Sequence, residues 1–326
     1  MCDVRKIKFD ATMSANMNGM VTETCWKSCM DALPEKGGSL PLHGNKYKFI
    51  SLPSRRSRYT SHSNTHVLAK ELRDTKLPEC CTDLRVILVC EYSHSLALVS
   101  SVARTYPLYH RKKDFVPMNV VIEVVCMDKD LTAADVSMLT DLAASIRTTA
   151  RLADTPAMSL PRISTWRKQW QLERTRMHEY GDQGRGAPQE GFGGIYHVGK
   201  AGPTPPAFVV LSHEPSGAKD TFALVGKGIV YDCGGMHIKT SNHMLGMKRD
   251  MAGSAALLGA FAALVKAKFT ENLHLCLCIA ENNISPTANK PDDVITLLSG
   301  RTVEITNTDA RADWCWRMEC STPNQS

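Results

Sequence analysis

Short apolar runs alternate with helical patterns along this chain of 326 residues. Arg85–Cys90 and Asn119–Cys126 are mostly apolar and rich in β-branched residues, which is typical of strands that are buried on both faces. Helical periodicity occurs at His66–Arg73 and again at Ala133–Ala153. Because strands and helices that alternate in this way pack as layers, the sequence predicts an α/β fold.

The same alternation continues in the second half of the chain. Three segments are predicted to be strands: Ala207–Ser212, Thr221–Val225 and Leu273–Ala280. Asp250–Lys266 predicts a helix rich in alanine and leucine, and small residues such as Ser254 would let it pack closely on a neighbour.

A proline marks the boundary between the halves. The residue before a proline disfavours helix, so the long helical pattern should end at Asp154-Thr-Pro156. We therefore predict a small N-terminal α/β domain over residues 1–155 and a second α/β domain from residue 156.

Composition argues against several classes of protein. The formal charge of +6 is modest and spread along the chain, and its basic clusters lack interleaved aromatics, which disfavours nucleic-acid binding. The longest apolar run, Ala252–Val265, is too short to span a membrane, and Met1–Lys6 has no secretory signal character. Twelve cysteines without paired C-x-x-C motifs favour free thiols in a reducing, cytoplasmic setting.

Lysines and aspartates recur among glycines in the second half. Lys227 and Asp232 flank the predicted end of a strand, Asp250 opens the next helix, and Asp309 lies in a later loop. Ligands commonly collect at such positions in α/β sheets, and carboxylates suit divalent ions such as Mn²⁺, Mg²⁺ or Zn²⁺. A neutral lysine amine could join them if burial lowered its pKa. The alternative is a set of solvated charges around a glycine-rich turn.

Specific motifs then add a family resemblance, which is strong over residues 191–310 and fainter over 84–156. The chain resembles the leucyl (cytosol) aminopeptidase family, and its motif sequences are most similar to those of the animal probable aminopeptidase-like branch. The motifs that carry the resemblance are Gly191–Ala201, Val225–Gly235, Ile238-Lys239, Met247–Gly253, Ala280–Asn282, Pro291–Val294, Ser299–Glu304 and Asn307–Ala310.

The resemblance implies a di-metal aminopeptidase that removes N-terminal residues from peptides in the cytoplasm. It implies that Lys227, Asp232, Asp250 and Asp309 are metal ligands and that Lys239 is catalytic, polarising the substrate carbonyl. The cofactors would be two divalent ions, Mn²⁺ or Zn²⁺ and possibly Mg²⁺. Relatives assemble as hexamers, so a homo-oligomer is expected, with neither nucleic acid nor membrane as a partner.

The pattern departs from the family after Ala310. The family continues with a metal-bridging glutamate, a glycine and an arginine, but Arg311 and Asp313 occupy the glutamate and arginine positions. If the codons from Arg311 onward are read one base out of register, they encode an amino-acid sequence similar to that of the family. We therefore predict a frame change, an aberrant tail over 311–326 and an incomplete α/β/α peptidase domain over 156–310. The alternative function is a catalytically inactive, truncated relative that acts at most as an oligomerising or interaction protein.

Overall fold

The computed structural model divides the chain into two compact units, residues 1–144 and 145–326. The units are defined by how the chain packs. The domain boundary expected near residue 155 therefore stays a prediction. The residues that the structure describes are 17, 19–34, 37–42, 47–53, 63–77, 81–106, 109–111, 113, 115, 117–160, 175–180, 193–297 and 299–310.

The first unit combines helices with two small sheets. Its helices are α1 (Glu23–Ala32), α2 (Thr65–Arg73), α3 (Tyr92–Thr105) and the start of α4 (Ala133–Asp154). Its strands are β1 (Gly38–Leu42), β2 (Tyr47–Ser51), β3 (Asp83–Cys90) and β4 (Asn119–Cys126). Strands β1 and β2 pair antiparallel, whereas β3 and β4 run parallel. Leu72 of α2, Leu88 of β3 and Val102 of α3 belong to one buried apolar cluster, which packs these elements together.

The second unit is built on a four-stranded sheet of order β5-β6-β8-β7. Its strands are β5 (Arg176–Tyr180), β6 (Ala207–His213), β7 (Thr221–Asp232) and β8 (Asn272–Asn282), beside a small antiparallel pair, β9 (Val294–Thr296) and β10 (Thr302–Glu304). Its other helices are α5 (Gly193–Gly199), the single turn α6 (Ser241–Met244) and α7 (Ala252–Lys266); short 3₁₀ turns span Ala157–Ser159 and Met247–Arg249. Strand β8 pairs antiparallel with β6 and parallel with β7.

Strand β8 is buried on both faces. Leu275 and Leu277 belong to the cluster that contains Phe261 of α7, whereas Cys278 belongs to the cluster that contains Ile195 of α5. Alternate residues of a strand point to opposite faces, so one apolar run contributes to two cores. This arrangement confirms the predicted α/β class.

The predicted limits of the elements are largely confirmed, with two differences. Strand β7 continues past Val225 to Asp232, so Lys227 lies inside the strand. Asp250 precedes the first residue of α7 by two positions and ends a 3₁₀ turn. None of the described helices is long and apolar enough to span a bilayer.

Candidate metal centre

Strand β7 and the glycine turn after it place the first predicted ligands. The pairing of β7 with β8 shifts register between Ile229 and Asp232, which marks an irregularity just before the last residue of the strand. Gly234 and Gly235 then adopt φ values of +92° and +67°, which glycine reaches without the steric penalty that other residues incur. The turn brings the chain back so that the Lys239 N–H donates to the Cys233 carbonyl oxygen.

Asp232 is almost completely buried and held by two donors. Its Oδ1 atom accepts hydrogen bonds from the Gly234 N–H at 2.9 Å and from Asn282 Nδ2 at 2.7 Å. Its other oxygen, Oδ2, lies 3.5 Å from Lys239 Nζ. One edge of this carboxylate is therefore occupied by the protein, and the other is directed toward the lysine.

Lys239 lies between two aspartates. Its Nζ atom forms ion pairs with Asp232 Oδ2 and with Asp309 Oδ1. Burial disfavours the charged lysine, but hydrogen bonding and attraction to the carboxylates of Asp309 and Asp232 outweigh it and raise the pKa of Lys239. Lys239 is consequently an ammonium group in this arrangement.

Lys227 and Asp250 form a second ion pair, with Nζ 3.1 Å from Oδ2. Burial, above all, raises the pKa of Asp250; attraction to Lys227 opposes that shift, and repulsion from Asp232 adds to it. Oδ2 of Asp250 is buried, and it faces the Lys227 ammonium group. Lys227 and Asp232 both lie on β7, so the two ion pairs share one strand.

The five predicted residues thus meet from three separate segments of the second unit. Within the described residues, no three His, Cys, Asp or Glu side chains converge on a single point that could hold a metal ion. Lysine ammonium groups lie among the carboxylates instead. The donor chemistry still fits divalent cations, because Asp250 Oδ2 and Asp309 Oδ1 are buried carboxylate oxygens that face lysine ammonium groups, and carboxylate oxygens suit such ions.

Two residues that the sequence did not single out complete the site. Asn282 ends β8 and Thr308 precedes Asp309, and both side chains are buried. Asn282 Nδ2 donates to Asp232 Oδ1 and to the Thr308 carbonyl oxygen, and Thr308 Oγ donates to the Gly234 carbonyl oxygen. Both residues lie inside the motifs Ala280–Asn282 and Asn307–Ala310, and these motifs were the signal in the sequence that could have identified them.

Other charged residues lie near the ion-pair cluster. Glu281 is the penultimate residue of β8, where burial raises its pKa and Asn283 Nδ2 donates to it. His237 and His243 are exposed. His237 Nδ1 faces the Thr308 backbone N–H at 3.3 Å, and His243 Nδ1 faces Thr240 Oγ at 2.7 Å.

Most of the second unit matches a known protein family. Residues 141–312 match the model of the cytosol aminopeptidase family, catalytic domain. The chain belongs to the cytosol aminopeptidase family. This is a family of metal-dependent peptidases, and the matched range contains all five of the predicted site residues.

Relatives within the cytosol aminopeptidase family match most of this chain. Leucine aminopeptidase 1 of Caenorhabditis elegans is 46% identical over 310 residues, covering 94% of this chain and 62% of the relative. Probable aminopeptidase NPEPL1 of Mus musculus is 40% identical, covering 89% of this chain and 57% of the relative. The chain therefore spans about 60% of the length of the curated relatives it matches.

Solved structures of the family share the fold. The structure of the C. elegans leucine aminopeptidase superposes with a TM-score of 0.90 at 43% identity, covering 96% of this chain and 64% of that one. A leucyl aminopeptidase from Trypanosoma brucei, solved in complex with bestatin, has a TM-score of 0.77 at 26% identity over 92% of this chain and 61% of that one.

Two further expectations from the sequence concern the activity of the chain and its last residues. The relatives described above are named as aminopeptidases or probable aminopeptidases, so they give no support to the inactive alternative. The predicted frame change, with Arg311 and Asp313 in the tail over 311–326, lies outside the described residues and stays a prediction.

Proposed function

We propose that this chain carries the metal centre of a peptidase that hydrolyses the N-terminal peptide bond of peptides. The observation that supports this best is the arrangement of Asp232, Asp250 and Asp309 around the ammonium groups of Lys227 and Lys239. These carboxylates come from distant parts of the sequence and lie in a partly or fully buried setting. Solvated surface charges around a glycine turn would not be buried in this way.

The metal-holding residues in this proposal are Lys227, Asp232, Asp250 and Asp309. Divalent ions bound there would supply Lewis-acid polarisation of a carbonyl group. Asp232 is prepared for binding because its Oδ1 is already held by two donors, leaving Oδ2 as the oxygen directed into the site. Asp250 is suited to a cation because positive charge beside a buried carboxylate stabilises its ionised form.

Lys239 has the catalytic role in this proposal. Its neighbours keep it charged, so it can donate a hydrogen bond from Nζ to the carbonyl oxygen of a bound peptide. Negative charge develops on that oxygen during attack, and a fixed cation in a partly buried site stabilises it most at that stage. The ammonium group thus favours the transition state over the bound substrate.

Several finer features belong to the same proposal. Two divalent ions, drawn from Mn²⁺, Zn²⁺ and Mg²⁺, match the set of aspartates and lysines in the site. Peptides are the proposed substrates, since the T. brucei relative was solved with bestatin and the C. elegans relative is named a leucine aminopeptidase. A cytoplasmic location follows the naming of relatives as cytosol aminopeptidases, and assembly into homo-oligomers is proposed for the whole protein.

The test is hydrolysis of a leucyl peptide by the purified chain with added Mn²⁺. It would be run beside a version in which the shifted frame after Ala310 is restored through the downstream sequence. Lys239→Met should abolish turnover in whichever version is active, whereas Lys219→Met, at an exposed lysine outside the cluster, should preserve it.

Each outcome separates the possibilities. Activity confined to the restored version supports the proposal and assigns the defect to the tail. Activity of the chain as written would show that Arg311 and Asp313 are compatible with catalysis. If neither version hydrolyses the peptide, the catalytic proposal fails and a non-catalytic role is favoured.

A further inference from the structure

The Asp232 and Asp309 segments are joined by a buried amide. Asn282 is only 3% exposed, and its Nδ2 donates to Asp232 Oδ1 at 2.7 Å and to the Thr308 carbonyl oxygen at 3.2 Å. Because both neighbouring atoms are acceptors, the NH₂ group must face them, and the amide orientation is determined by its surroundings. One side chain from β8 thus connects two segments that carry proposed metal ligands.

Thr308 makes a second connection between the same segments. Its side chain is fully buried, and its Oγ donates to the Gly234 carbonyl oxygen at 2.7 Å while accepting from the His237 N–H at 2.7 Å. A hydroxyl that both donates and accepts in this way holds the Gly234 turn against the residue preceding Asp309. A Cβ added at Gly235 would lie 3.2 Å from this Oγ and 3.1 Å from Asn282 Oδ1, so the turn packs directly on both residues.

We propose that Asn282 and Thr308 are positioning residues of the metal centre, which set the spacing between Asp232 and Asp309. Asn282 occupies Asp232 Oδ1 and so directs Oδ2 toward Lys239, while Thr308 holds the backbone from which Asp309 projects. Groups that hydrogen-bond to metal ligands in this way orient them, and their loss typically lowers metal affinity by about 10- to 100-fold. This inference rests on the proposed metal centre and adds to it residues that contact no ion themselves.

The experiment measures Mn²⁺ binding to the full chain by titration calorimetry, with thermal unfolding of the metal-free chain recorded in parallel. Asn282→Ala and Thr308→Val remove the connecting groups, and Thr308→Val retains the size of the side chain. Thr308→Ser keeps the hydroxyl and is the conservative rescue. Phe261→Leu, in the core beneath α7, is a control that lowers stability without altering either connection.

We expect Asn282→Ala and Thr308→Val to weaken Mn²⁺ binding by about 10- to 100-fold, with Thr308→Ser within about threefold of the parent. Phe261→Leu should lower the melting temperature while leaving Mn²⁺ affinity unchanged. If affinity follows melting temperature across all four variants, the connections are merely structural and positioning is refuted. If Thr308→Val and Asn282→Ala bind like the parent, positioning is refuted although the metal centre stands. If the parent binds no Mn²⁺, the same variants are measured in the version with the restored frame; if that version binds no Mn²⁺ either, the proposed metal centre fails, and positioning fails with it.

Discussion

Ser254 Oγ donates a hydrogen bond of 2.9 Å to the carbonyl oxygen of Gly226. This contact joins the first turn of α7 to the middle of β7. A Cβ built at Gly226 would lie 2.8 Å from Ser254 Cα, which is closer than atoms can approach without movement of the backbone. Helix α7 begins two residues after Asp250, and strand β7 contains Lys227. These two elements are therefore held at a separation that only a glycine in the strand permits.

Gly226→Ala is predicted to destabilise the chain. The new methyl group would push α7 away from β7, and overpacking of this kind typically costs about 1–3 kcal/mol. The matched control is Gly253→Ala, whose Cβ would lie 3.5 Å from the nearest atom, the Lys227 carbonyl oxygen, at ordinary contact distance. Denaturant unfolding should show a loss for Gly226→Ala and no loss for Gly253→Ala. Equal stability of the two variants would contradict the close approach.

Binding of Mn²⁺ is predicted to stabilise the folded chain. A ligand that binds only the folded state, at about 100 times its dissociation constant, adds about 2.7 kcal/mol of stability. The melting temperature should therefore rise on addition of Mn²⁺ and fall back after addition of a chelator. Asp232→Asn should greatly reduce the rise, because it removes a buried anionic oxygen from the site. Asp220→Asn, at an exposed aspartate, should retain it, and an identical response from both variants would be evidence against this site.

Asp135 is predicted to make the first unit sensitive to acid. Hydrogen bonds from Tyr92 Oη and from the Thr132 hydroxyl and N–H lower the pKa of Asp135 to about 2. Since the folded-state pKa is depressed below the ordinary value of 3.8, the contribution of Asp135 to stability is present above that value. It is lost as the pH falls through about 2.

Asp135→Asn is the corresponding variant. It should be less stable than the parent at neutral pH, and the difference should shrink as the pH falls from about 4 to about 2. Asp130→Asn, at a nearby exposed aspartate, serves as the control and should follow the parent throughout. Urea unfolding at a series of pH values provides the measurement. A difference between Asp135→Asn and the parent that stays constant with pH would rule out the proposed titration.

Glu281 is predicted to have the opposite pH dependence. Burial raises the pKa of Glu281 above its ordinary value of 4.5, and the hydrogen bond from Asn283 Nδ2 partly offsets this rise. Ionisation is therefore harder in the folded state, and the parent should lose stability as the pH rises from about 4.5 through the raised pKa. Glu281→Gln should remove this loss, whereas Glu304→Gln, at an exposed site on β10, should not. Parallel pH profiles for the parent and Glu281→Gln would disprove the effect.

Local patterns predicted much of the fold. Apolar runs with a period of two or near 3.6 correctly located α2, α4, β3 and β8, because burial of a strand or helix face requires those spacings. The extension of β7 to Asp232 was missed. Val225-Gly-Lys-Gly228 has poor strand propensity, but pairing along β8 outweighs it, as tertiary context often does.

The sequence by itself determined the α/β class and the set of lysines and aspartates available for a metal centre. These depend on residue type and spacing over short distances, and motif resemblance identified their family. Only the tertiary structure decided which lysine pairs with which aspartate and that Asn282 joins Asp232 to the Thr308 segment. The two contacts of Asn282 link residues 50 and 26 positions apart, and they form only after the strands have brought distant backbone segments together.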